Sequence, residues 1–402
     1  MNSLLRRFLL LCMLIPAIAG CSGSGSSANA PPDLQAIAGD GVVTASWTME
    51  PGVEYWLFYG KTDSISGDNW TSVGGAVVMN AQSPYIFGGL TNGTTYSFAI
   101  NARKDGGPGG ASSPSMTAVP RLAGSTWKAS NPFGSAQMRG IAANAAGTLF
   151  AAGSAGALFS GTVTNQIATW TALTNPVPAV GLNDIAAGAS SYVAVGDEGT
   201  ILFSSDAVTW TQKASGISGS LYAVTSPGAQ YVAVGAGGTI LTSSDGQTWI
   251  RQQSGTTSDL YGVAYLSASA KYYVFGARGT LLTSSDGVTW ATVNSNTTNT
   301  LRRIAFGNSL YVMVGDAGTL VTSTDGSAWA PSPALQTTQN LYAINYYSQF
   351  VIAGSAGTVF TSADGVAWTS ATSNTSRDIH SLVHSYYGYH AVGSEGLHLS
   401  AF

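Results

Sequence analysis

Residues 231–249 read YVAVGAGGTILTSSDGQTW, and the same phrase returns from Tyr192, Tyr272, Tyr311 and Phe350. A degenerate copy, LFAAGSAGALFSG, starts at Leu149, and a truncated one, YHAVGSEGLHLSAF, runs from Tyr389 to Phe402. Each full copy ends in a tryptophan, and Trp127, Trp170, Trp210, Trp249, Trp290, Trp329 and Trp368 follow one another at spacings of 39 to 43 residues. A self-similar period of that length predicts one supersecondary unit per repeat. Within a unit the pattern predicts four short strands. Leu221–Thr225 is the innermost, Tyr231–Val234 the second and Thr239–Thr242 the third, with a fourth beginning at the tryptophan. Gly235 and Gly238 are expected to free the backbone for the tight turn between the second and third. The last copy ends before its tryptophan strand, and Gly124-Ser125-Thr126-Trp127 at the start of the array would supply it.

Residues 124–402 are therefore expected to form a seven-bladed β-propeller whose amino-terminal and carboxy-terminal strands share one blade, which removes exposed sheet edges. The unit resembles two families. One is the bacterial neuraminidase repeat, whose Asp-box takes here the shortened form Ser243-Ser244-Asp245-Gly246-Gln247-Thr248-Trp249. The other, closer in its Val-Gly-x-x-Gly-Thr-Ile-Leu-x-Ser-x-Asp-Gly-x-Thr-Trp phrase, is the photosystem II assembly-factor-like group. These resemblances imply the fold far more than a task.

The rest of the chain is also read as β. Of 402 residues, 50 are Gly, 45% are hydrophobic and only 8% are charged, a composition that favours strands and turns over helices. From Pro32 onward, alternating runs at Val42–Trp47, Tyr55–Tyr59, Val77–Met79, Tyr85–Phe87, Tyr96–Ala102 and Met116–Val119 are separated by Gly, Asn, Asp and Pro. This segment, residues 31–121, resembles a fibronectin type III β-sandwich. The likeness runs through Pro32, Leu34 and Ala36, Trp47 as core indole, Tyr55 and Tyr59 on the third strand, and the Leu90–Tyr96 turn. No Arg-Gly-Asp follows Ala102, so integrin-type adhesion has no support, and a spacer is the simpler role.

The amino terminus reads as an address. Arg6 and Arg7 precede a short apolar run, Phe8–Ile15, followed by Ile18-Ala19-Gly20-Cys21. That is an export signal, too short to span a bilayer. Its last four residues resemble the lipobox of bacterial lipoproteins, which implies cleavage after residue 20 and lipidation of Cys21; an ordinary signal peptide cut nearby is the alternative. Ser22 in such lipoproteins implies the outer membrane. Three acyl chains would hold the protein to a membrane without a spanning helix. Residues 21–30 are then a flexible tether. Removing residues 1–20, with two Arg and no acid, takes the net charge from −4 to −6 and Cys12 with it. Few cations argue against nucleic acid as a partner, and no free thiol remains for a disulfide or a cysteine metal site.

Candidate functional residues are sought where the repeats differ. Aligned on the leading aliphatic residue of the innermost strand, the next position reads Arg139, Asn183, Tyr222, Tyr261, Arg302, Tyr342 and His380. In a propeller it lies near one mouth of the channel, on the face that carries the turns with Asp197, Glu198, Arg278, Asp316 and Glu395. Tyrosines beside hydrogen-bonding groups suit a peptide or a sugar. The competing reading gives these tyrosines the strand parity of Val224, Val263 and Ile344 and hence a place in the core. The box aspartates Asp206, Asp245, Asp286, Asp325 and Asp364 are expected to cap their own turns. Scattered arginines and the lack of a distinct acid pair speak against a sialidase or other glycosidase. His380, His384, His390 and His398 have no acid partner, so neither a metal nor another cofactor is expected. The expectation is a lipid-anchored, non-catalytic binding or scaffold protein of the cell envelope with a protein partner. Glycan binding or hydrolysis at the same mouth, and a pure spacer, are the alternatives.

Overall fold

The computed structural model describes residues 25–402 except 165, 229, 386 and 387. The export signal, Cys21 and Ser22 lie outside the described residues. The described chain is all β, its only helices being three-residue 3-10 turns. Among the described residues no helix is long and apolar enough to cross a membrane. Two compact units result. One comprises the described part of Met1–Ala36 with Ala45–Tyr85 and Thr95–Ala118; the other comprises Ile37–Thr44, Ile86–Thr94 and Val119–Phe402.

The strands before residue 120 form two sheets. Gln35–Ala38, Val43–Ser46 and Tyr85–Phe87 make a three-stranded sheet. In the other, Tyr96–Lys104 is central, with Glu54–Gly60 and Ala76–Val78 to one side. Its opposite edge is shared by Met116–Ala118, paired with Tyr96–Phe98, and Ser26–Ala28, paired with Ala102–Lys104. Ser26–Ala28 thus corrects the expectation of a flexible tether through residue 30. Its backbone finds ladder partners on the half of the edge that Met116–Ala118 leaves free.

The repeats form seven antiparallel four-stranded sheets among the described residues. Their first strands are Met138–Ala143, Leu182–Ala187, Leu221–Thr225, Leu260–Leu266, Leu301–Gly307, Leu341–Tyr346 and Ile379–Ser385. Each packs against the first strands of the sheets before and after it, and the seventh packs against the first. The second strands, such as Tyr231–Gly235, are buried on both faces, which is why their sequence is apolar throughout rather than alternating. The seventh sheet runs Ile379–Ser385, Gly388–Gly393, His398–Ala401 and then Lys128–Ser130. His398, Leu399 and Ser400 pair with Ser130, Ala129 and Lys128. Trp127, immediately before this strand, is buried with Val351, Tyr389 and Leu399.

Hydrogen bonds of side chains join neighbouring sheets. Tyr231 Oη donates to the Ser191 carbonyl at 2.8 Å, Tyr272 Oη to Gln230 Oε1 at 2.8 Å, and Tyr389 Oη to the Gln349 carbonyl at 2.9 Å. The box aspartates do hold turns. Asp245 Oδ1 accepts from the amides of Gln247 and Thr248, each at 2.8 Å, and from Ser243 Oγ at 2.9 Å. These bonds, the Thr248 amide first, hold its carboxyl at about 2, and the same arrangement acts at Asp206 and Asp286.

The two turn glycines serve for different reasons. Gly238 has φ +72, and a Cβ there would lie 1.9 Å from the Thr256 carbonyl oxygen. Gly235 is extended at φ −168, so conformational freedom is not its purpose. A Cβ on it would stand 2.1 Å from the Ser220 carbonyl oxygen, and space is what excludes a side chain.

Candidate functional site: a girdle on seven bulges

Every first strand carries a register irregularity at its second residue. Leu221 pairs with Gly235 and Ala223 with Val234, which leaves Tyr222 unopposed. The same shift isolates Arg139, Asn183, Tyr261, Arg302, Tyr342 and His380. A bulge re-aims the extra side chain. All seven are half-buried, while the aliphatic residue before each is buried. Along an unbroken strand Tyr222 would share the core face of Val224; the bulge breaks that alternation and leaves Tyr222 half-buried.

The seven side chains lie along one line of contacts. Arg139 Nη1 donates to Asn183 Oδ1 at 2.6 Å and reaches Asp197 Oδ2 at 3.4 Å. Asn183 Nδ2 donates to Asp197 Oδ1 at 3.0 Å and to the carbonyl of Leu221, the neighbour of Tyr222, at 2.8 Å. The Tyr222 and Tyr261 rings lie 5.1 Å apart. The Arg302 guanidinium sits 4.5 Å from the Tyr261 ring centre and 5.9 Å from that of Tyr342. Tyr342 meets His380 edge-on at 5.7 Å. His380 Nδ1 lies 2.9 Å from the carbonyl oxygen of Met138, the residue before Arg139. Burial, partly opposed by that carbonyl, holds the His380 ring below the ordinary histidine range.

The turns between second and third strands add two carboxylates. Asp316 receives Arg302 in a two-pronged pair, Nε to Oδ1 at 2.9 Å and Nη2 to Oδ2 at 2.8 Å. Asp197 joins Arg139 as above. Glu198 and Arg278, expected on the same face, are exposed beyond the girdle. Glu395 instead pairs with Arg377 at 3.2 Å.

One position further along each strand are residues that the sequence reading passed over: Gly140, Asp184, Ala223, Gly262, Arg303, Ala343 and Ser381. Five are small. The other two meet, Arg303 Nη2 standing 3.9 Å from Asp184 Oδ2. They belong to the second and fifth sheets, which are not neighbours, so the pair spans the space that the first strands surround. Arg303 Nη1 also donates to the carbonyls of Tyr261 and Arg302. Asp184 accepts from the amides of Val224 at 3.1 Å and Ile185 at 3.0 Å. Burial raises the Asp184 carboxyl above its ordinary range, with the Arg303 charge and the two amides acting against it. Two opposite charges in a column of small residues were the available signal.

The histidines separate. His390 Nδ1 and His398 Nε2 are 3.2 Å apart in the core, with His398 Nδ1 3.1 Å from Ser130 Oγ. His384 stacks on Tyr347 at 3.7 Å. Among the described residues, no group of three or more His, Cys, Asp or Glu is placed to hold a metal ion.

The fold and its girdle place the chain among β-propellers. No family model matches the sequence, and no curated protein matches it. Solved structures do. YCF48 bound to D1 peptide is similar at 16% identity and TM-score 0.57, over 69% of this chain and 94% of that one. The WD40 β-propeller domain of Doa1 is similar at 12% identity and TM-score 0.58, over 70% and 96%. Virginiamycin B lyase from Staphylococcus aureus is similar at 10% identity and TM-score 0.59, over 69% and 98%. One of these is seen with a peptide and another is a lyase, so at such identities the likeness carries the fold alone.

Proposed function

We propose that the seven sheets are the blades of one closed ring, and that the girdle is the mouth through which the protein binds a protein partner without catalysis. The observation that carries this reading is the bulge repeated in all seven first strands, which turns one variable residue per sheet toward the same line of contacts. Core-filling does not require a bulge, and the residues there vary in chemistry while their neighbours stay aliphatic. The peptide seen with YCF48 agrees with such use of a propeller. A binding role also suits the carboxylates: Asp184, Asp197 and Asp316 are each engaged by an arginine rather than left free for general acid and base work. In the same proposal Cys21 carries a lipid anchor to the cell envelope, at the outer membrane by the Ser22 signal. Residues 31–121 are a fibronectin type III spacer; the pairing of Tyr96–Lys104 with Glu54–Gly60 and Met116–Ala118 supports this reading.

The test is a photo-crosslinking amino acid placed at residue 222 and, as control, at the exposed residue 208 on an outer loop, in the full-length protein in its own cells. The expected result is one discrete adduct from position 222 alone, lost when Arg302→Ala is added. Equal adducts from both positions, or an adduct indifferent to Arg302→Ala, would overturn the mouth as the binding site.

A further inference from the structure

The charges around the girdle do not balance evenly. Arg139, Arg302 and Arg303 are each matched by a carboxylate. Asp259, on the approach to the fourth sheet, is not: it forms no ion pair among the described residues. Its Oδ1 accepts from the Gly237 amide at 2.8 Å, and its Oδ2 lies 3.5 Å from Tyr261 Oη. That geometry fixes the carboxylate beside the tyrosine pair. Tyr222 stands on the other side of the pair, its ring against that of Tyr261 and its hydroxyl without a hydrogen bond among the described residues. Burial first, and then the negative charge of Asp259, hold the Tyr222 hydroxyl above the ordinary tyrosine range.

This sector therefore offers two aromatic rings, an unmatched carboxylate and a free hydroxyl acceptor, all half-buried. An anion would face Asp259, and Arg302, beside the Tyr261 ring, is held by Asp316 through both prongs; Arg278, on the turn whose Ala277 amide bonds the Asp259 carbonyl, points into solvent as an exposed residue. A cation would meet the face of the Tyr222 ring and a fixed counter-charge, while the Tyr261 ring, already carrying the Arg302 guanidinium at 4.5 Å, packs against Tyr222 as support. We propose that Tyr222, Tyr261 and Asp259 form a subsite for one lysine or arginine side chain of the partner segment. This rests on the mouth being the binding site. It adds that the partner presents a basic residue there, and that Arg139 and Arg302 of the girdle, with Arg303 beside them, are structural struts rather than receptors for an acidic partner.

The experiment measures fluorescence anisotropy of three labelled ten-residue peptides, serine alternating with lysine, glutamate or alanine, against the full chain. The lysine peptide is expected to bind more tightly than the other two. Asp259→Asn, which keeps the acceptor for the Gly237 amide, and Tyr222→Ala should each weaken it about tenfold. Glu198→Gln, an exposed acid on a turn outside the girdle, should leave it unchanged. The proposal is overturned if the glutamate peptide binds as tightly as the lysine peptide or if the lysine peptide fails to bind. It is equally overturned if Asp259→Asn has no effect or if Glu198→Gln weakens binding as much, because diffuse charge would then explain the attraction. A persisting adduct from position 222 alongside any of these outcomes would sink the subsite and leave the mouth reading standing.

Discussion

The seventh sheet carries a liability that the other six do not, and lowering the pH should reveal it. At the positions of Val232 and Ile240 in the third sheet, the seventh has His390 and His398. Both are almost fully buried, 0% and 2% exposed, and lie 3.2 Å apart. The groups packed against them are Ser130, Phe133, Trp170 and Phe402, with His384 the other titratable neighbour, and none supplies a negative charge. Burial pushes His398 down to about 4, and burial together with the neighbouring histidines pushes His390 well down. A histidine that stays neutral when folded but takes a proton when unfolded favours the unfolded chain as pH falls below the unfolded value of about 6.5. The loss grows from there and levels off only near the folded value, about 4 for His398. Between pH 7 and pH 5, at about 1.4 kcal/mol per unit, His398 alone should remove about 2 kcal/mol. His390 adds to it in the same direction. The box carboxylates stay out of this window, because their turn amides hold them below the ordinary carboxylate range, at about 2 for Asp206, Asp245 and Asp286, and ordinary unfolded values near 4 place their titration at lower pH. Urea unfolding followed by tryptophan fluorescence at pH 7 and pH 5 measures the difference. His398→Ile, which restores the residue of the third sheet, should cut the pH-dependent loss by about 2 kcal/mol. A variant as acid-sensitive as the parent would refute the account.

Two further outcomes follow from packing and charge. Trp127→Ala should cost about 3–5 kcal/mol and lower the melting temperature of the repeat unit, as removal of a buried indole does elsewhere, because Trp127 is 2% exposed among Val351, Tyr389 and Leu399; a shift within error would show that the completing strand contributes little. Arg303→Met should cost about 2 kcal/mol by leaving Asp184 half-buried without its partner, and adding Asp184→Asn should recover part of that loss; additive losses in this double-mutant cycle would mean that the 3.9 Å approach is incidental.

Much of the architecture was legible because the repeat states it many times over. One copy of the Tyr231–Trp249 phrase defines strand lengths, turn and box, and the others correct its noise. The strand order of the seventh sheet was legible for a different reason: a carboxy-terminal copy lacking its fourth strand and an amino-terminal strand lacking its copy are complementary. The first sheet shows the limit. It has no box aspartate, and its third and fourth strands lengthen to Leu158–Thr164 and Ile167–Ala172, so that Trp170 falls inside the last strand instead of just before it. Without the Asx turn nothing stops the hairpin early. Ser26–Ala28 was hidden as well, because a Gly/Ser-rich composition describes the isolated chain and says nothing of an unfilled sheet edge waiting elsewhere.

The girdle was legible in part, and the missing part is physical. Comparing aligned repeats finds positions that vary, and it found all seven bulge residues. It could not tell whether a varying tyrosine faces a mouth or a core, because that depends on where the strand register slips, and a slip by one residue exchanges the two faces. Nothing in Leu221-Tyr222-Ala223 announces the slip. The neighbouring column contains its own clue, since five residues too small to reach the middle leave room for two that can, Asp184 and Arg303. Opposite charges in such a column at non-adjacent repeats can satisfy each other only if the repeats curve toward one another. The contact between the second and fifth sheets is thus a second, independent sign of ring curvature, separate from the pairing of Lys128–Ser130 with His398–Ser400.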